Sequence, residues 1–147
     1  MNRGMANENA KIEALEHGLM RAWMAGESKA MRRSLSARFR LVIGGAAPVL
    51  LDRKSLVEAA GERWLLKSYR FGAEVYARQV DGIGIFAAVL EMEASIDGVD
   101  VAGSWWLADS WRKSSIGRQW RLVDRQLSRA DATPPLGQAV RALQLWR

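Results

Sequence analysis

The chain has 147 residues, enough for one domain with a substantial core, and 49% of them are apolar. Its formal charge of +6 is spread along the chain rather than gathered, which argues against a nucleic-acid partner, and no apolar run approaches the roughly 20 residues that cross a bilayer, so no membrane partner is expected. Cysteine is absent, which excludes disulfides, thiol nucleophiles and thiolate metal sites; the N-terminus lacks the apolar block of a secretory signal, so a cytoplasmic location is expected.

Residues 1 to about 8 read as a loose tail. Ile12, Leu15, Leu19, Ala22 and Trp23 then recur at helical spacing, and Gly26 suits the end of that helix. His17, the single histidine, falls on the opposite side of the wheel and is expected to be exposed. With one histidine and no cysteine, a transition-metal site would rest on carboxylates, and none is expected. Ser28 can cap a second short helix carrying Met31 and Leu35. Phe39 to Ile43 reads as a strand broken by Gly44-Gly45, with Val49 to Leu51 as its return. Asp52 is a good cap for a third helix, whose buried face would carry Leu56, Val57, Ala60 and Trp64.

After Leu66 the period changes to two. Asp81-Gly82 and Asp97-Gly98 each suit a type I′ turn, and a looser turn runs from Lys113 to Gly117. The second half is therefore a four-stranded meander over about 67–80, 83–96, 99–112 and 118–128. Two-residue turns fix register, setting Val80 opposite Ile83 and Ile96 opposite Val99; for the last hairpin, Trp111 is paired with Trp120. One face then carries Phe71, Ala73, Val75, Ala77, Phe86, Ala88, Leu90 and Met92. It continues through Trp105, Leu107, Asp109 and Trp111 to Trp120, Leu122, Asp124 and Gln126. The other face mixes charged residues, Arg125 among them, with Ile85, Val89, Trp106 and Val123.

Three amphipathic helices are the natural cover for the apolar face. The expected class is α+β: three N-terminal helices packed on a strongly curved antiparallel sheet. The apolar content of the mixed face predicts a homodimer through that outer sheet face. After Thr133-Pro134-Pro135 a short amphipathic helix is expected, with Leu136, Val140, Leu143 and Trp146 on one side, forming a C-terminal extension over 131–147.

Two stretches carry a resemblance to a known family. One is Ala22-Trp23-Met24-Ala25-Gly26-Glu27 followed by Ala37-Arg38-Phe39; the other is Ala108-Asp109-Ser110-Trp111 with Gly117-Arg118-Gln119-Trp120-Arg121-Leu122-Val123 and Gln126-Leu127-Ser128. Over roughly residues 10 to 130 the chain resembles the nuclear transport factor 2-like superfamily, in particular its SnoaL-like branch (domain of unknown function 4440 type), which sets the expected domain at 1–130. The resemblance implies a cone-shaped, cystatin-like roll enclosing an apolar pocket, usually in a homodimer. That superfamily includes isomerases, cyclases, dehydratases, hydrolases and pure binding or assembly modules, so fold alone does not assign an activity. The ketosteroid-isomerase branch implies a hydrogen-bonding Asp at Asp109, but its general base would fall on Ile43 and its helix-1 Tyr near Leu19, so two of three working residues are missing.

The constellation read from the residues themselves is Asp109 and Asp124. By the pairing above they lie diagonally across one strand pair, ~5–8 Å apart, on the helix-covered side. A carboxyl among indole rings resists ionisation, so this pair could serve acid/base chemistry, with Gln126 orienting a ligand. Trp23, Trp105, Trp111 and Trp120 would wall the pocket, and an arginine such as Arg40 could instead pair either acid. The expected function is binding of a small hydrophobic or carbonyl-bearing molecule without a cofactor, with isomerase-, cyclase- or dehydratase-type catalysis open, and a non-catalytic dimeric interaction module as the alternative. Gly82-Ile83-Gly84 precedes no helix, so it is not a dinucleotide fingerprint.

Overall fold

A computed structural model describes the backbone of residues 3–130 and 135–145, with side chains from residue 9. Helix α1 (Arg3–Ala25) starts within the expected tail. Nothing between Arg3 and Ile12 is proline or β-branched, so nothing stops the helix running back. It ends at Gly26, whose φ of +67° lets the Glu27 N–H reach back to the Ala22 carbonyl at 2.9 Å. Helix α2 (Ser28–Ser34) follows at once. Its cap residue is Glu27 rather than Ser28, and no side chain bonds there.

Strand β1 (Leu35–Ile43) pairs antiparallel with β2 (Val49–Asp52), Leu41 opposite Leu51. Asp52 caps α3 (Arg53–Ala59) as expected, accepting the Ser55 N–H at 2.9 Å. That helix stops at Ala59, so Trp64 is not on its face but opens β3 (Trp64–Val80). The turns Asp81-Gly82 and Asp97-Gly98 have positive φ at both residues, as type I′ geometry requires, and frame β4 (Ile83–Ile96). The expected third strand is divided. Its first piece, β5 (Val99–Asp100), pairs only with β4; β6 (Gly103–Lys113) resumes after Val101-Ala102, and β7 (Trp120–Arg129) returns along it. A short α4 (Pro135–Arg141) follows, its Leu136 exposed, as is Leu143 beyond it; Trp146 lies outside the described residues.

The sheet runs β2-β1-β7-β6-β4-β3, with β1 parallel to β7 and the other neighbours antiparallel. This is the expected α+β class: helices on one face of a curved, unclosed sheet. Irregularities in β3 and β7 interrupt regular pairing, and such bulges bend a strand and deepen its twist. The core lies between helices and sheet, where Ile12, Met20, Met31, Phe39, Phe86, Leu107 and Trp111 are almost wholly buried.

One bulge changes the reading of the last hairpin. Ser110 opposes Asp124, but the next pair is Trp111 with Leu122, so Val123 is an extra residue on β7. Trp111 therefore does not face Trp120; Lys113 does. On the C-terminal side of the bulge every side chain changes face. Asp124 and Gln126 go to the outer side, whereas Arg125, expected outside, points under the helices with Leu127, and both are buried.

Candidate functional site

Two separate features occupy the sheltered side of the sheet. The first is a buried charge cluster where α1 crosses β6 and β7. Asp109 and Arg125 are directly opposed in register, and the guanidinium engages Asp109 by Nε at 3.0 Å and by the second nitrogen at 2.8 Å. The same second nitrogen donates to Glu16 of α1 at 3.0 Å, and Nη1 lies 3.4 Å from the Met20 sulfur. Trp111 closes the cluster, its indole N–H donating to the other Glu16 oxygen at 2.7 Å. Glu16, Asp109 and Arg125 are each at most 1% exposed.

Two carboxylates and one guanidinium would leave a net negative charge in the core. Burial pushes Glu16 well above the usual carboxylate range, and the neighbouring Asp109 pushes it further, against the pull of Arg125 and the Trp111 N–H. Protonation of Glu16, which burial favours, would bring the cluster to neutrality. Arg125 stays charged: burial opposes the charge, but Asp109 and Glu16 outweigh it and raise its pKa further. Asp109 is thus tied into a satisfied ion pair and presents no free oxygen to a ligand.

The second feature is an apolar cavity of about 250 Å³, four residues along β6 from Asp109 and so ~13 Å away at usual strand rise. Its walls come from both ends of the sheet order: Leu41, Ile43 and Leu51 of β1–β2, Trp64 of β3, Met92 and Ile96 of β4, Trp105 of β6 and Leu127 of β7, with Val101 from the break after β5. Strands this distant in the sheet share one cavity only because the sheet curls. Val49 and Leu50, both more than half exposed, form the rim. Its lining includes no charged side chain.

The expected site residues are therefore dispersed. Trp105 lines the cavity. Trp23 lies behind it, edge-on to Trp64, with its N–H on the Trp64 carbonyl at 3.0 Å. Trp111 serves the charge cluster, and Trp120 sits at the far end of the sheet under the Lys113 ammonium. Asp124 and Gln126, on the outer face, join neither feature. Glu16 and Arg125, absent from the expected set, carry the cluster with Asp109. Glu16 had a visible signal: it shares the Ile12, Leu19, Trp23 stripe of α1, where a carboxylate is out of place. His17 is half-buried rather than exposed, because the curled β3 reaches over the flank of α1. Its Nδ1 meets the Tyr69 hydroxyl at 2.7 Å and its ring packs edge-on to Phe71. Burial raises the Tyr69 pKa, against the opposing charge of Arg21.

Solved structures resemble this arrangement over nearly their whole length. A nuclear transport factor 2-like protein from Cytophaga hutchinsonii matches with a TM-score of 0.71 at 11% identity, over 87% of this chain and 98% of that one. The fold is nuclear transport factor 2-like. A putative calcium/calmodulin-dependent kinase II association domain from Exiguobacterium sibiricum shares the nuclear transport factor 2-like fold at a TM-score of 0.70 and 13% identity, over 90% and 99% of the two chains. A ketosteroid isomerase-like protein from Erwinia carotovora atroseptica does so at 0.62 and 18%, over 85% and 98%. No family model and no curated protein matches the sequence. At these identities the likeness is one of fold.

Proposed function

We propose that this chain is a non-catalytic binding domain for a small apolar molecule, working as a homodimer through its outer sheet face. The observation that carries the first half is the lining of the cavity: a concave, wholly apolar hollow at the open edge of the curled sheet, with the acids of the core tied up ~13 Å away. Acid/base catalysis on the bound molecule lacks a group to perform it, since Asp109 is engaged by Arg125 and Asp124 faces outward. At about 250 Å³ the cavity lies just below the usual range for drug-sized ligands, roughly 300–1,000 Å³, which favours a compact hydrocarbon-like guest.

The second half rests on the outer face. Tyr76, Ile83, Ile85 and Trp106 are all more than 40% exposed there, with Ala87, Val89 and Ala108 between them. A contiguous apolar patch on a sheet is the usual mark of an association surface. The kinase association domain named above has this fold, which adds weight to an assembly role.

Heavy-atom quenching tests the binding reading. Bromocyclohexane entering the cavity touches Trp64 and Trp105 and should quench part of the indole fluorescence saturably. Leu51→Phe, which fills the hollow, should abolish that component, whereas Asp109→Asn should retain it. Linear, non-saturating quenching that Leu51→Phe leaves unchanged would refute the reading.

A further inference from the structure

A second concavity lies at the opposite end of the molecule from the apolar one. It is a cleft of about 820 Å³ between α1, α2 and the turn joining β6 to β7. Four cations line it: Lys11 from α1, Arg33 from α2, Lys113 at the end of β6 and Arg118 in the turn. Gln119 adds an amide N–H donor, its carbonyl oxygen accepting from Arg121 at 3.1 Å, while the Ser34 hydroxyl donates to the Ala30 carbonyl at 3.0 Å; no carboxylate is among the lining residues. The described ion pairs are Arg63 with Asp97, Arg70 with Glu91, and Arg125 with Glu16 and Asp109, so they involve none of these four.

The cleft is held in shape by the fold. The Ser114 N–H bonds the Gln119 carbonyl at 2.8 Å, the Ser114 hydroxyl donates to the Ile116 carbonyl at 2.6 Å, and the Gln119 N–H returns to that hydroxyl at 3.2 Å. Arg118 takes a φ of +52° directly after Gly117 at +77°. A left-handed position is cheaper for glycine or asparagine, so an arginine there calls for a reason in its side chain. The Lys113 ammonium stands 5.9 Å from the centre of the Trp120 ring, which holds the charge over the cleft. On the helix side, Gly18 contributes no side chain and leaves the floor open. Like charges brought within about a Debye length, about 8 Å at physiological salt, repel one another, and a bound anion relieves that repulsion.

We propose that this cleft binds a small molecule bearing a diphosphate or triphosphate group. Several adjacent oxyanions match four cations and the Gln119 amide lining one concavity, which has the volume of a small-molecule site. A nucleic-acid strand would instead need cations along a continuous track, whereas these face inward from both walls of one cleft. The site is independent of the apolar cavity, so either can fail without the other.

Calorimetric titration of the full chain with inorganic tripolyphosphate should give saturable binding, one per chain, that weakens as salt is raised. Lys113→Glu and Arg118→Glu, both at positions outside the core, should each weaken it roughly tenfold or more, as expected for loss of a charge-assisted hydrogen bond. Arg78→Glu, exposed on the outer face, should leave it unchanged. Equal affinity for adenosine triphosphate would mean that the phosphate chain alone is recognised; tighter binding would mean that the cleft also takes a nucleoside. The proposal is overturned if neither compound binds saturably, if sulfate competes at equal concentration, or if both charge reversals leave affinity intact. It is equally overturned if a single-stranded oligonucleotide binds more tightly than either and Arg78→Glu weakens it too.

Discussion

Replacing Arg125 by methionine is the most incisive test of the buried cluster. The substitution keeps an unbranched side chain of similar reach and removes the sole cation among Glu16, Asp109 and Trp111. Burial and Asp109 both favour the protonated form of Glu16, which moves the wild-type cluster towards neutrality. Without the guanidinium, Asp109 is left buried and uncompensated, and breaking such a pair from one side typically costs about 3–5 kcal/mol. For a chain of this size that corresponds to a fall in Tm of roughly 6–20 °C. The loss should depend on pH. In the variant Glu16 loses the opposing pull of Arg125, so its folded-state pKa, already raised, moves further above the unfolded value, and the stability it allows is present at low pH and lost as pH rises through the folded value. Urea unfolding at about pH 5.5 and about pH 8.5 should therefore show a small penalty at the first and a large one at the second. A penalty that is the same at both, or a Tm within the error of wild type, would refute the charge accounting. Removing all three charges together, as Glu16→Leu, Asp109→Leu and Arg125→Met, should recover much of the lost stability, since a well-packed apolar replacement has no charge to solvate.

Glu16→Gln, read by urea unfolding across pH, should remove the part of the wild-type stability that declines towards alkaline pH, because the raised Glu16 pKa makes that contribution present at low pH and lost on ionisation. Asp109→Asn should lower Tm while leaving bromocyclohexane quenching intact; loss of quenching with an unchanged Tm would reverse the roles assigned to cluster and cavity. Trp106→Glu, on the outer face, should shift the sedimentation coefficient from dimer to monomer, and a monomeric wild type would sink the association reading. Gly84→Val should destabilise by about 1–3 kcal/mol in denaturant melts, because a Cβ at this β4 position collides with the Ile12 side chain of α1.

Much of the candidate site was legible one residue at a time and misread as a set. Asp109 was correctly placed on the helix-covered side, since the β3–β4 turn fixes register for the strands it joins and β6 follows β4 in phase. The step from β6 to β7 was not so fixed, because the connecting turn is longer and a single extra residue, Val123, sits beyond it. That one insertion exchanged Asp124 for Arg125 on the inner face and turned an expected pair of acids into an acid and its counter-ion. The dimensions of a bulge are set by the twist the sheet must adopt, which alternation of side chains along one strand does not record.

Local chemistry in the sequence determined the order of elements, the two type I′ turns, the Asp52 cap, the Gly26 stop and the apolar stripe that seats α1 on the sheet. Each depends on groups a few residues apart, whose energies are decided by backbone conformation and side-chain type. Only the tertiary structure decided which charges meet. Glu16 and Arg125 are 109 residues apart in sequence, the walls of the apolar cavity come from opposite ends of the sheet order, and the four cations of the basic cleft come from α1, α2, β6 and the turn after it. Curvature brings them together, and curvature is a property of the whole sheet.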